Sequence, residues 1–244
     1  MVEGKWIVNY KTGNVEAAVT SDADDAERAL TRKGRATRER IVASAASLMF
    51  EHGVAGTTTE DVQKAAGVGA SQMYHYFADR QELIRAVIAH QTRMVLASQQ
   101  PYLGALDSFD AIRAWRDHLI ALEHQLGCKG GCAIGTLAAE LAEVSTSYRD
   151  DLARGFRQWE SAICDGVRAM HARGELRADA DPDELAMALL AAVEGGLVLT
   201  QLRRDTAPLK AALDCMISYL ESLTPSPKRP EPSRRRRAVT APSD

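Results

Sequence analysis

The spacing of apolar residues predicts helices along most of the chain. From Thr37 onward, Ile41, Ala45 and Leu48 recur at three- and four-residue intervals up to Gly53, as expected for one buried helix face. Similar patterns predict further helices near 58–66, 70–77, 80–103, 108–126, 133–144, 147–173, 182–203 and 207–223. The alternating Val/Ile/Thr-rich runs that indicate strands do not occur. The sequence therefore predicts an all-α protein.

Composition divides the chain into four segments. Residues 1–30 lack sustained periodicity and are predicted to be a flexible extension, unless the native chain starts further along. Residues 31–80 and 81–223 are the two helical segments, which we call the head and the body. Residues 224–244 contain several prolines and the run Arg234–Arg237, which predicts a disordered basic tail.

Charge is distributed unevenly along the chain. The whole sequence has a formal net charge of −3. Residues 28–80 carry net +3, residues 81–224 carry net −6, and residues 225–244 carry net +4. An acidic body with a basic head and tail is the asymmetry expected when one end of a protein meets nucleic-acid phosphates.

The sequence does not predict membrane insertion or export. The longest apolar run, Leu185 to Val193, ends at Glu194 and is far shorter than the roughly 20 residues that span a bilayer. The first residues include an acid and a lysine and lack the uninterrupted apolar segment of a secretory signal. A cytoplasmic protein with no membrane partner is therefore expected.

A helix-turn-helix motif is predicted within the head. Thr58 and Asp61 supply a capping pattern for a short helix, and Gly67-Val68-Gly69 forms a turn before a second short helix ending near Phe77. Such a unit presents its second helix to a DNA major groove. The outward residues of that helix are uncharged and small, hydrogen-bonding or aromatic, so they can approach base edges: Ala70, Ser71, Gln72, Tyr74, His75 and Tyr76.

The stretch from about 37 to 88 resembles the N-terminal domain of the TetR family. The matching motifs are Thr58-Thr59, Ala65-Ala66-Gly67-Val68, Tyr74-His75-Tyr76-Phe77 and Arg80-Gln81-Glu82-Leu83. This resemblance implies a three-helix DNA-binding domain followed by a helical ligand-binding and dimerisation domain. It also implies that bases are read by Ala70, Ser71, Tyr74 and His75, and that phosphates are contacted by Thr58, Thr59, Gln72, Tyr76 and Arg80.

Two sequence features bear on how the head would hold DNA. Gly69 stands where the family usually has a serine cap, so the recognition helix lacks a side-chain acceptor at its start. Four basic residues are predicted to precede the first helix as a DNA-contacting arm: Arg32, Lys33, Arg35 and Arg38.

The last two helices are predicted to form a homodimer interface. One contains a long apolar stripe, and the other is apolar almost all round, with glycines that permit close approach. The alternative is that both helices line an intramolecular core. The predicted interface residues are Leu189, Val193, Gly196, Leu209, Leu213, Ile217 and Leu220.

A small-molecule site is expected among the helices between about 90 and 180. Mostly apolar side chains with a few polar groups could line it: Trp115, His118, Leu122, Cys132, Phe156, Trp159 and Met170. The resemblance thus implies a regulator, usually a repressor, that a ligand releases from a palindromic operator. No catalytic residue, metal or cofactor is predicted.

Cys128 and Cys132 leave several interpretations open. Their segment resembles the Gly-Cys-x-x-Gly start of the sixth helix in one branch of the family, which includes electrophile-sensing repressors, and a thiol at a helix start is often reactive. A thiol-reactive inducer or a redox disulfide would follow; alternatively both are small buried residues. A metal site with His118 and His124 does not match common zinc spacing. The rival functional class is an all-α enzyme or redox protein that uses this dithiol.

Overall fold

A computed structural model of the chain describes residues 30–225, and the extension and most of the tail predicted above lie outside these residues. Nine α-helices and one 3-10 turn make up the described part, in which no strand occurs, so the all-α prediction is confirmed. The helices are α1 Arg32–His52, α2 Thr59–Ala66, α3 Ala70–Tyr76, α4 Arg80–Ser98, α5 Phe109–Gln125, α6 Ala133–Leu141, α7 Thr146–Ala172, α8 Pro182–Arg203 and α9 Ala207–Ser222.

The first helix begins earlier than the sequence predicted. Thr31 caps it, because its hydroxyl accepts a hydrogen bond from the Gly34 amide at 3.1 Å. The prediction of a separate basic arm before the first helix is therefore wrong, because all four of its residues lie within α1: Arg32, Lys33, Arg35 and Arg38.

The fourth helix ends earlier than predicted. It stops at Ser98, before Pro101, and the chain continues as a 3-10 turn over Tyr102–Ala105. A proline ring clashes with the preceding helical turn and has no amide to donate, which explains the break. Leu103, predicted at the end of this helix, instead packs from the 3-10 turn into the core of the body.

Two hydrophobic clusters organise the molecule. One joins α1–α4 to the C-terminal half of α6 and the start of α7, through residues such as Ile41, Met73, Phe77 and Leu137. The other fills the body between α5, α7, α8 and α9, around Trp115. The head therefore packs on the body through a shared core, and α6 lies at the junction because Ile134 belongs to one cluster and Leu137 to the other.

Candidate nucleic-acid interface and effector region

The second helix is fixed by a capping box. Thr58 caps α2: its hydroxyl accepts from the Asp61 amide at 3.1 Å, while the Asp61 carboxylate accepts from the Thr58 amide at 3.0 Å. The Thr58 hydroxyl also donates to Asp61 Oδ2 at 2.6 Å, and this bond, followed by the bond from the Thr58 amide, lowers the pKa of Asp61. The neighbouring Thr57 is buried and donates to the Gly53 carbonyl at 2.9 Å, whereas Thr59 is half-buried. Thr58 is exposed beside the helix start, so it can serve as both cap and phosphate contact.

The turn between α2 and α3 depends on a glycine. Gly67 adopts φ 63° and ψ 43°, the left-handed region that L side chains rarely occupy, and its amide bonds the Lys64 carbonyl. The next residue, Val68, is buried and anchors the turn. Gly69 then caps α3 without a side-chain hydrogen bond, as the sequence predicted. The start of the recognition helix is therefore held by its backbone and by packing.

The third helix presents the face that the sequence predicted. Met73 and Phe77 point inward and are each 2% exposed. Tyr74 is 61% exposed, although it is a large aromatic side chain, and Tyr76 is half-buried. The other outward residues are exposed: Ala70, Ser71, Gln72 and His75. The uncharged, accessible face has the size and hydrogen-bonding groups for a major groove.

Arginines around α3 are tied to backbone carbonyls. Arg35 donates to Leu30 at 2.7 Å, Arg40 to Ala66 at 2.8 Å, and Arg80 to Val54 at 2.6 Å. Each guanidinium has five donors, so these bonds fix the side chains and leave further donors for phosphates. Arg40 was not among the predicted contacts, although its position eight residues beyond Arg32 on α1 gives a sequence signal.

The predicted effector residues converge in the body. Five of them, Trp115, Trp159, Met170, Phe156 and Cys132, belong to or pack against one cluster, and the first three are at most 1% exposed. The Trp115 indole donates to Gln99 at 3.0 Å, while the buried Trp159 Nε1 has no protein partner within residues 30–225. These large side chains fill the interior of the body.

The other two predicted effector residues lie at the edge of this cluster. His118 is half-buried, its Nε2 lies 2.7 Å from the Ser98 carbonyl, and its ring stacks on Tyr102 with centroids 4.7 Å apart. Leu122 is also half-buried.

Cys132 occupies a helix start but is not activated there. It caps α6 and its Sγ accepts from the Gly135 amide at 3.4 Å. Burial raises the pKa of the Cys132 thiol well above its usual value, and the neighbouring Glu194 carboxylate raises it further. Burial also raises the pKa of Cys128. Both cysteines are free thiols, and their raised pKa values disfavour the thiolate that reacts with electrophiles or disulfides.

The sequence did not predict several buried polar groups in the body. Glu123 and Thr200 are at most 5% exposed, and Glu123 Oε2 and Thr200 Oγ1 have no hydrogen-bond partner among the described residues; the same holds for Glu194 Oε1. Burial raises the pKa of both carboxyl groups. The available sequence signal was the interruption of the apolar run at Glu194 and the core spacing Ile112, Trp115, Leu119, Glu123. Within residues 30–225, no group of three His, Cys, Asp or Glu is placed to hold a metal.

The seven predicted interface residues pack inside a single chain. All of them are buried, and Gly196 permits the closest approach, because a Cβ there would lie 2.8 Å from Leu209 Cα. They therefore lie beneath a second, exposed stripe on the same two helices. On α8 this stripe comprises Met187, Ala191, Gly195, Val198, Leu199 and Leu202, and on α9 it comprises Ala211, Cys215, Ser218 and Tyr219.

The eighth helix is apolar on both sides. An 18-residue window in Pro182–Arg203 has a mean hydropathy of 1.8, enough by length and composition to cross a membrane, and 44% of that window is buried within the chain. Core helices pass the same test. In this helix one side forms the core of the body, and the other carries the exposed stripe.

Comparisons with known proteins agree with this architecture. Residues 41–87 match the family described as bacterial regulatory proteins, tetR family, and residues 108–216 match the tetracyclin repressor-like C-terminal domain. The chain is 24% identical over 193 residues to the HTH-type transcriptional repressor DhaR of Mycobacterium sp. (strain GP1), covering 78% of this chain and 93% of that protein. It is 28% identical over 163 residues to the transcriptional regulator AcuR of Cereibacter sphaeroides, covering 66% and 74%.

The fold is also similar to that of solved structures. A TetR transcriptional regulator from Chloroflexus aurantiacus superimposes with a TM-score of 0.69 at 28% identity, covering 80% of this chain and 98% of that one. The two matched domains occur in the order that the helix-turn-helix and the helical body take here. This chain belongs to the TetR family of transcriptional regulators.

Proposed function

We propose that this protein is a ligand-responsive transcriptional repressor that binds a palindromic operator as a homodimer in the cytoplasm. The exposed, uncharged face of α3 is the observation that carries the proposal. Tyr74 projects from it with most of its surface accessible, and it follows a left-handed glycine turn that sets α3 at an angle to α2. The relatives that are named as transcriptional repressors and regulators support the direction of control.

DNA contacts divide into base-reading and phosphate-binding groups. Ala70, Ser71, Tyr74 and His75 meet base edges, since they occupy the outward face of α3. Thr58, Thr59, Gln72, Tyr76, Arg35 and Arg80 flank that face and meet the backbone. Arg80 does so with the donors left after its bond to Val54.

The homodimer forms through the exposed stripe on α8 and α9. The stripe is apolar or small along its length, and Met187, Val198, Leu202 and Tyr219 are each more than half exposed in the single chain. Leaving such a surface in water is unfavourable, and pairing two copies of α8 and α9 buries it. The buried residues Leu189, Val193, Gly196, Leu209, Leu213, Ile217 and Leu220 support this interface from below.

The effector binds in the body by moving its packed core apart. Trp115, Trp159 and Met170 form the floor of the site, Phe156, Leu122 and His118 its edge, and the unpartnered indole of Trp159 supplies a donor. A ligand that fits only the expanded body shifts the equilibrium away from the DNA-binding spacing of the heads. The raised pKa of Cys132 favours non-covalent binding over thiol modification.

Operator binding is tested with purified full-length protein. Genomic fragments selected by the protein are tested for a shared palindrome, and affinity is measured by fluorescence anisotropy across a salt series. We expect a steep loss of affinity as salt rises, because phosphate contacts release counterions. A protein that shows no preference for any duplex over random sequence would contradict the proposal.

The contribution of α3 is tested with Tyr74→Ala. If Tyr74 reads a base, operator affinity falls by roughly 1–3 kcal/mol and the preference at that base relaxes. Tyr102→Ala is the matched control, because Tyr102 is also an exposed tyrosine but lies in the 3-10 turn of the body. Equal affinity of the two variants would remove Tyr74 from the recognition surface.

A further inference from the structure

The corner between α1 and α2 contacts both α6 and the loop that precedes it. Near the start of α6, the Phe50 ring lies against Gly130 so closely that a Cβ there would be 2.1 Å from Phe50 Cζ. Near its end, Glu140 Oε2 accepts a hydrogen bond from the Val54 amide at 2.7 Å. The head thus contacts the body through a helix that begins beside Cys132, among the residues of the effector region.

Packing is incomplete between these two contacts. A partly enclosed cavity lies between α1, α4 and α6, lined by Ala46, Met49, Phe50, Val87, Gln91, Ala133, Thr136 and Leu137. Dispersion contacts are lost across such a gap, so packing holds the head less firmly at this point than a filled core would. The hydrogen bond to Glu140 therefore adds to the shared core that joins the head to the body.

Both backbone groups of Val54, its amide and its carbonyl, make hydrogen bonds to charged side chains. Its amide donates to Glu140 of the body, and its carbonyl accepts from Arg80 at the start of α4. The preceding Gly53 has φ 76°, and a Cβ there would lie 3.4 Å from the Glu140 carboxylate, so the backbone approaches the carboxylate closely. Two hydrogen bonds thus connect Glu140 to Arg80, the first residue of α4, which lies four positions beyond the end of the recognition helix at Tyr76.

The opposite end of α6 packs against α8. The Glu194 carboxylate lies against the first turn of α6, where a Cβ on Gly135 would lie 2.5 Å from Glu194 Oε2. Eight residues separate Cys132 from Glu140, which corresponds to about 12 Å along a helix. A short helix of this length moves as a rigid unit, so displacement at α8 is delivered to Val54.

We propose that Glu140 is a positioning residue that holds the head in its operator-binding orientation through the Val54 amide. The inference rests on the proposed function. Trp115, Trp159 and Met170 fill the body core, so an effector that enters there has to move these side chains apart. Expansion of the body withdraws α6 from the Val54 corner and frees the head.

The proposal is tested with four variants at two glutamates near the C-terminal end of α6, Glu140 and Glu143. Glu140→Ala removes the acceptor, Glu140→Asp keeps the charge but shortens the side chain, and Glu140→Gln keeps a carbonyl oxygen at full reach. Glu143→Ala is the matched control, because Glu143 is an exposed glutamate three residues further along the chain. Both sites are exposed, so folding is expected to be preserved, and thermal unfolding checks this directly.

We expect Glu140→Ala and Glu140→Asp to bind the selected operator about tenfold more weakly than wild type, and Glu140→Gln to stay close to wild type. Glu143→Ala is expected to bind equally well or slightly better, because removing a negative charge lessens repulsion of DNA. The weaker operator binding expected of Glu140→Ala is therefore opposite in sign to the stronger binding that removal of a negative charge alone would produce. If Glu140→Ala binds as tightly as Glu143→Ala, or more tightly than wild type, the proposal is overturned.

A second readout does not depend on DNA. In the free protein, the Val54 amide is expected to exchange its hydrogen slowly, and Glu140→Ala is expected to accelerate that exchange at least tenfold while distant core amides keep their rates. A Val54 amide that exchanges equally fast in wild type and variant overturns the proposal whatever the operator data show. A wild-type protein that binds no operator would refute the proposed function, while this exchange measurement would still decide whether the Glu140 contact holds the corner.

Discussion

Adjacent glycines in α8 provide a sensitive test of how closely α8 approaches α9. Replacing glycine by alanine inside a helix stabilises it by about 1 kcal/mol, through propensity alone. At Gly195 a new Cβ would meet no described atom within 4 Å, so Gly195→Ala is expected to show this gain. At Gly196 the new Cβ would lie 2.8 Å from Leu209 Cα and 2.9 Å from Leu209 Cδ1.

The clash at Gly196 involves backbone, which cannot rotate away. Carbon atoms pack at about 3.5–4.0 Å, so α9 would have to shift by roughly 1 Å. Overpacking of this kind costs about 1–3 kcal/mol, which outweighs the propensity gain. Gly196→Ala is therefore expected to be less stable than Gly195→Ala by about 1–3 kcal/mol. Because both variants receive the same propensity gain, the difference isolates the clash.

Urea unfolding followed by far-UV circular dichroism measures the two stabilities. The series is repeated at several protein concentrations, because Gly195 lies on the stripe that the proposed dimer covers, and any concentration dependence reports association. The reasoning would be refuted if both alanines stabilised the protein equally at every concentration, since α8 and α9 would then not touch at Gly196.

Three further predictions follow from the head, the thiols and the buried carboxyl. Thr58→Ala should destabilise the head by about 1 kcal/mol while Thr58→Ser retains the cap, as thermal unfolding would reveal. In labelling with a maleimide, Cys132 should stay unreacted in the folded protein. The exposed Cys215 should react quickly at protein concentrations that favour the monomer and slowly once the dimer forms. Equal Cys215 labelling rates at all protein concentrations would argue against the α8–α9 interface. Burial raises the folded-state pKa of Glu123, so wild type should lose stability as pH rises above the ordinary glutamate value, and Glu123→Gln should show a flatter pH profile of unfolding free energy.

The head was the part most open to prediction from sequence. Its turn requires a left-handed backbone at Gly67, its second helix requires a cap, and its third helix alternates Met73 and Phe77 with exposed polar residues, so local signals and tertiary structure agree. The start of α1 was missed, because Thr31 was not read as a cap and the basic residues after it resembled an arm.

The body was predicted in outline but less well in detail. Helix spacing located α5 to α9 within a few residues, since the apolar periodicity there is strong. It could not show which apolar residues of α8 face the core and which face outward, because a helix that is apolar on both sides has no hydrophobic direction. The environment of Cys132 was also beyond reach, since the neighbouring Glu194 lies 62 positions away along the chain.

Because α8 is apolar on its exposed face as well as on its buried face, the proposed dimer makes operator occupancy depend on the amount of protein in the cell. In the proposed homodimer, pairing covers Met187, Val198 and Leu202, which a single chain exposes, so a protein that assembles in this way gains a second DNA-binding head in the step that buries its apolar stripe. Its operator occupancy would rise faster than in proportion to the amount of protein made, because doubling the number of chains more than doubles the number of pairs when most are single. A repressor built in this way would switch its target sharply over a narrow range of expression, before any effector is present.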